Sequence, residues 1–407
     1  MRLAMSSVAL AGGTVMWLAA MVLAPKLALA ATPGPFGGGN GTVSTPYAIA
    51  TAAQLEYWDS HQSAFVNADF VLTHDINLGD YAWTPISQFN GTFDGQGHRI
   101  SHLQVDSSEE PAGFIANLSG VVERASFSAV KIYGSTFVGG VAGIVGPSGV
   151  IEGCIVSGLV ASDASAGVGV QPSVGGVAGV SFGALSRCTS RVTMADSPIG
   201  AEGVGGLIGF MQSGSAELCV STAMLNAPDS TGVGGLVGRM AGGLLDDSYA
   251  TGTVAGLTDV GGLVGSLWNS STVQDSYSLT RVNASSGRAG GLIGDQYQIT
   301  DVPTVLSSFW SPTLSGHLTS DGGQSLSLSQ FHSVQTFDNP AVGWDFTAVW
   351  DRKTTVNDGF PYLRSERPAS QWPGWAVPLI KILCIPVAVA VILLVGKAAL
   401  KRRRKPE

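Results

Sequence analysis

The chain has 407 residues, 55 of them glycine, with 12% charged and 45% hydrophobic residues. The glycine follows no strict G-X-Y period, which excludes collagen, and the hydrophobic content excludes wholesale disorder. Residues 31–375 hold 12 Lys and Arg against 28 Asp and Glu, a net charge of about −16, so nucleic acid is excluded as a partner.

Taken in order, residues 1–30 carry Arg2, an apolar run and Ala28-Leu29-Ala30, the pattern of a signal peptide cleaved between Ala30 and Ala31. An uncleaved membrane helix is the alternative. Residues 31–45 form a Pro/Gly-rich linker. Residues 46–111 are expected to be an N-terminal cap and the first coils. Here Thr51 and Gln54 make a capping box for a short helix to about His61, with strands at 70–73 and 89–93 and a turn at Asp94-Gly95-Gln96-Gly97.

Residues 112–311 are a repeat array. Its core is Gly139-Gly140-Val141-Ala142-Gly143, repeated with Gly175, Gly176 and Gly179; Gly205, Gly206 and Gly209; Gly234, Gly235 and Gly238; Gly261, Gly262 and Gly265; and Gly290, Gly291 and Gly294. The starts lie 36, 30, 29, 27 and 29 residues apart, too short for four-stranded propeller blades. A second strand follows each core and begins at Cys154, Cys188, Cys219, Ser248 or Ser276. Alternation puts that Cys/Ser column inward and the set holding Arg191, Tyr249, Tyr277 and Arg281 outward. Two strands and their turns per repeat describe a right-handed parallel β-helix, an all-β solenoid. In the glycine core, Val138 and Ala142 on one face and Val141 on the other are all apolar. One of these faces is exposed unless another segment covers it.

Residues 312–366, rich in aromatic residues, are expected to cap the open end, and residues 367–375 to link it to the tail. Residues 376–396 are apolar except for Lys381 and long enough for a transmembrane helix; residues 397–407 are a basic tail that stays cytoplasmic. The repeat domain would then be extracytoplasmic.

The GG-[LV]-[AVI]-G cores, the strands of SYATGTV type, the GTFDGQGHRISHL turn and the GWDF and NDGFPYLR stretches resemble the GLUG-repeat family of bacterial surface proteins. The resemblance covers residues 41–364. It implies an exported β-helix used in cell-surface display or adhesion, with an extracellular protein or glycan as partner and the membrane as anchor. It implies no common catalytic residues and no cofactor, although some relatives join these repeats to zinc peptidases that cleave immunoglobulin A.

None of the six histidines precedes a Glu, so the H-E-x-x-H of a zincin is missing and no metal or catalytic residue is assigned. Cys154, Cys188 and Cys219 would stack at coil spacing, close enough for a disulfide; a buried thiol column is favoured because Ser248 and Ser276 share it. Glu152, Glu217, Asp246, Asp247 and Asp275 fall at bends, where solvated turns explain them. The rival readings are a carbohydrate-active β-helix enzyme, which would need three or more acids converging with a basic residue, and a purely structural envelope protein.

Overall fold

A computed structural model describes residues 35–79, 81–107, 111–162, 172–195, 200–298 and 301–366. The expected signal peptide with Ala30 and Ala31, the 376–396 span and the basic tail lie outside these residues. Among the described residues no helix is long and apolar enough to cross a membrane.

The chain winds as a parallel β-solenoid of about seven turns. One coil shows the plan: strands Phe137–Gly139, Ala142–Val145, Val150–Glu152 and Ile155–Ser162. Each coil therefore carries four strands, not the two expected. A Gly-Gly corner and a bend break the chain into pieces too short to stand out by periodicity. The Ala142–Val145 type stacks into a seven-stranded sheet and the Val150–Glu152 type into a ten-stranded one, while the other two types share a third. Equivalent residues pair across coils: Val138 with Val174, Ala142 with Ala178, Ile151 with Leu185.

This register turns a sequence repeat into columns. Val141, Val177, Leu207, Leu236, Leu263 and Leu292 stack fully buried, as do Ile151, Leu185, Leu245 and Val273. Val138, Val141 and Ala142 all lie in the one interior core, so both apolar sets of the glycine core are buried. No coil could bury these residues alone, so stability comes from stacking.

Two corner devices make the stacking possible. At Gly235 a Cβ would lie 2.2 Å from the carbonyl oxygen of Gly262 in the next coil, so the glycine is required by close approach of backbone. At the bend, Arg124, Gly153, Arg187, Leu218, Asp247, Asp275 and Ser307 all adopt left-handed conformations, with φ between 43° and 60°. Such a conformation is unfavourable for a residue with a side chain. It is offset by hydrogen bonds to the next coil, such as Arg124 N to Glu152 O (2.8 Å) and Arg187 N to Glu217 O (3.0 Å).

At the N-terminal end the helix Ala52–Ser60 closes the coil. Gln54 Oε1 accepts from the amides of Ala50 (2.7 Å) and Thr51 (3.2 Å), and buried Trp58 stacks on Phe70 with ring centres 4.3 Å apart. That plug covers an apolar coil end and its free strand edges.

The C-terminal segment departs from expectation. Residues 312–325 lie over the last coil: Asp321 N donates to Ile293 O, and Gly291 N to Thr319 O. Residues 326–366, in contrast, run along the side of the solenoid as a strap. Phe331, Phe337, Trp344, Trp350 and Leu363 pack on Val220, Tyr249, Tyr277 and Phe309, which belong to four successive coils. Tyr249 and Tyr277 are therefore 3% and 0% exposed, which corrects their assignment as outward surface residues. They do point away from the coil interior, and the strap then buries them. Arg191 and Arg281, on the same outward set, remain exposed.

Candidate functional site

The stacked column begins with Ala125 and runs through Cys154, Cys188, Cys219, Ser248, Ser276 and Ser308, all buried. Each Ser or Cys caps the bend before it. Ser248 Oγ donates to Asp246 O (2.7 Å) and Ser276 Oγ to Gln274 O (2.6 Å), while Cys188 Sγ donates to Ser186 O (3.3 Å) and Cys219 Sγ to Glu217 O (3.3 Å). The serine oxygens also accept the amide of the preceding coil, as in Cys219 N to Ser248 Oγ (3.0 Å). The three cysteines are free thiols. Burial pushes the Cys154 and Cys219 thiols well above their ordinary range, which suppresses thiolate chemistry. The column is architecture, and so are the repeat-core glycines.

Two constellations carry chemistry. The first lies at the bend, where Asp246, Asp247 and Asp275 bring carboxylate oxygens within 4.8 Å of one another. Trp350 Nε1 from the strap donates to Asp247 Oδ1 (2.8 Å), and Gln274 Nε2 to Asp246 Oδ2 (2.9 Å). Burial, followed by the charge of Asp246, pushes Asp247 up to about 7 and Asp275 up to about 6; burial also raises Asp246. The spacing is small enough to hold one hard cation; Trp350 and Gln274 each take one oxygen of Asp247 and Asp246, Asp246 Oδ1 is buried without a hydrogen-bond partner among the described residues, and burial beside like charges raises all three acids.

The second lies at the C-terminal coils, with Asp259 on the third sheet and Ser266, Trp268, Asp295 and Tyr297 on the seven-stranded one. Arg288 reaches Asp259 (Nε to Oδ1 3.0 Å) and Asp295 (NH2 to Oδ2 3.1 Å), and Asp295 is hydrogen-bonded to Asp321. Tyr297 OH and Ser266 Oγ donate to Asp259 Oδ2 at 2.9 and 3.4 Å. The side chains of Asp259 and Asp295 are only 9% and 8% exposed, against 52% for Arg288. Burial, then the hydrogen bond with Asp321, pushes Asp295 up to about 6. Rings and guanidinium groups continue the array: Arg288 lies over Tyr297 (4.9 Å), Tyr297 against Trp268 (4.5 Å), and Arg239 over both Trp268 (4.8 Å) and Phe210 (5.1 Å) while it pairs with Glu202.

Sequence reasoning located the first group at the bends and missed the second. The missed signal was the position just before each Gly-Gly strand, which reads Phe137, Ser173, Gly203, Gly232, Asp259, Arg288. Charge enters that column only in its last two coils.

Comparison with known proteins agrees with this architecture. The family model of the GLUG motif matches residues 229–255. Halomucin of Haloquadratum walsbyi is 30% identical over 240 residues, 56% of this chain and 3% of its own length. A candidate Gly-rich membrane protein of Evansella cellulosilytica is 32% identical over 105 residues, 26% of this chain and 12% of its own. The chain thus spans only a small part of either relative. Among solved structures, a candidate immunoglobulin A1 protease from Bacteroides ovatus superposes with a TM-score of 0.54 at 19% identity, over 82% of this chain and 96% of that one; this likeness concerns the fold. The chain thus carries a GLUG motif at residues 229–255, and the Gly234-Gly235 pair of that motif sits at the corner of a stacked parallel solenoid.

Proposed function

We propose that this is an exported display protein, held in the membrane by residues 376–396, whose solenoid wall binds an extracellular protein or glycan. The observation that carries the reading is the wall: stacked coils buried on the inside, closed at the N-terminal end by an aromatic plug, with Arg239, Arg288, Trp268 and Tyr297 gathered on one outer face. Tyr, Trp and Arg are the residues that dominate binding surfaces. The leader, the basic tail and the membrane-protein relative support the location. Parallel strands joined by crossovers in one sheet coil right-handedly, which supports that hand. One observation favours the second reading, a carbohydrate-active enzyme: Asp259 and Asp295 converge on a basic residue, Arg288, with Asp321 beside Asp295.

Protease shaving of intact cells tests the display reading. It should release fragments of the solenoid, and the mature N-terminus should begin at Ala31. A solenoid protected in intact cells and cleaved only after lysis would refute the orientation.

A further inference from the structure

The repeats supply an internal control for the Asp259–Arg288–Asp295 cluster. Asp259 adopts a left-handed conformation (φ 56°), which Gly232 adopts one coil earlier (φ 62°). Asp295 pairs in register with Ser266, which pairs with Arg239 and that in turn with Phe210. Earlier coils are thus built with glycine, serine, phenylalanine or arginine at these places, and the fold does not require carboxylates there. Burying two of them costs free energy that coil stacking does not call for. Asp259 also takes a backbone conformation that suits glycine, and strain of this kind concentrates at functional sites.

We propose that Asp259, Arg288, Asp295 and Asp321, flanked by Trp268 and Tyr297, form a saccharide-binding site on the solenoid wall. The ligand class follows from what remains open. Asp259 and Asp295 are paired to Arg288, so a ligand meets the half-exposed guanidinium, the exposed Asp321 carboxylate, held in place by Gln296 N (3.2 Å) and Asp295, and the half-buried Trp268 and Tyr297 rings. Three carboxylates outnumber one guanidinium, so an anionic ligand meets net repulsion, and a cationic one meets the exposed Arg288 before the buried Asp259 and Asp295 it neutralises; both meet like charges. A neutral polyhydroxyl chain meets none. Its hydroxyls accept from the planar guanidinium fork and donate to the carboxylate, while its C–H edges lie against the rings. The cluster contacts are set before ligand arrives, so little ordering is needed on binding.

The site deepens the reading of the wall as a binding surface, and the experiment separates the two. The full chain, purified without glycosidic detergent, is titrated with chitotetraose, cellotetraose and mannotetraose, followed by tryptophan fluorescence and saturation-transfer NMR. Saturable binding of at least one, with a Kd on the order of 0.1–1 mM, is expected. Arg288→Lys keeps the charge but loses the fork, and should weaken binding about tenfold or more; it should also lower the melting temperature, because buried Asp259 and Asp295 lose part of their pairing, so binding is read well below that midpoint. Asp321→Asn, at an exposed position, should weaken it as well. Absence of saturable binding for all three, or full affinity in both variants, overturns the proposal. Salt-sensitive binding of octalysine in place of the sugars would assign the face to basic peptides and overturn it too. Surface shaving reads display independently: a shaved chain that binds no sugar loses only the site.

Discussion

Trp350 offers the sharpest test of the strap. Its ring is fully buried, stacks on Trp344 at 4.5 Å, and donates Nε1–H to Asp247 Oδ1 at 2.8 Å. Trp350→Phe keeps an aromatic body and removes the donor. Above the Asp247 pKa of about 7, the lost bond is one to a charged acceptor, worth about 1.5–3 kcal/mol; at pH 5 Asp247 carries a proton and the loss falls to about 0.5–1.5 kcal/mol. The cost of Trp350→Phe should therefore shrink by about 1 kcal/mol between pH 8 and pH 5. The wild-type background runs the other way from a salt-bridged acid. Asp247 has a folded pKa above its unfolded value, so between about pH 4 and 7 the native state binds more protons and its stability rises as pH falls. Asp246, Asp275 and Asp345 face it and push in the same direction, while Trp350 opposes them. A shift from 3.8 to about 7 corresponds to ~4 kcal/mol, which solvent screening at this partly open bend reduces to about 1–2 kcal/mol. Urea denaturation followed by far-UV circular dichroism at the two pH values measures both effects, with Asp247→Asn as the control that should abolish the pH dependence of the Trp350→Phe cost. An equal cost at both pH values, or one that survives in the Asp247→Asn background, refutes the clasp.

Gly235→Ala should lower stability by about 1–3 kcal/mol or more, because the added Cβ meets the Gly262 carbonyl oxygen at 2.2 Å; a thermal midpoint unchanged from wild type would show that the coil can shift to admit it. Tyr277→Ala should cost about 3–5 kcal/mol, since the ring stacks on Tyr249 at 4.8 Å and is fully buried, whereas exposed Arg281→Ala should stay within about 0.5 kcal/mol. Comparable losses for the two would mean that the strap does not cover the tyrosines in solution. Cys188→Ser should be tolerated at modest cost, since Ser248 and Ser276 make the same contact to the carbonyl two residues back; loss of two hydrogens in the intact mass of wild-type protein would reveal a disulfide and refute the thiol column.

Local and periodic information was sufficient for the solenoid. A Gly-Gly core recurring every 27 to 36 residues, an inward Cys/Ser column and the polar bend are one-dimensional patterns, and in a parallel stack each column in the sequence becomes a column in space. The Thr51–Gln54 capping box is local as well. Tertiary structure alone decided what covers what. Tyr249 and Tyr277 point out of the coil by alternation, as the sequence says, yet they are core residues because a strap that begins about fifty residues beyond Tyr277 lies on them. Nothing in a period of two reports a second layer. The same holds for Asp247, which is an ordinary bend acid until Trp350 is placed over it, and for Asp259, Arg288, Asp295 and Asp321, which are spread over some sixty residues and meet only when coils stack. Periodicity reports which face of a strand a residue takes. Burial and charge proximity are set by whatever lands on that face.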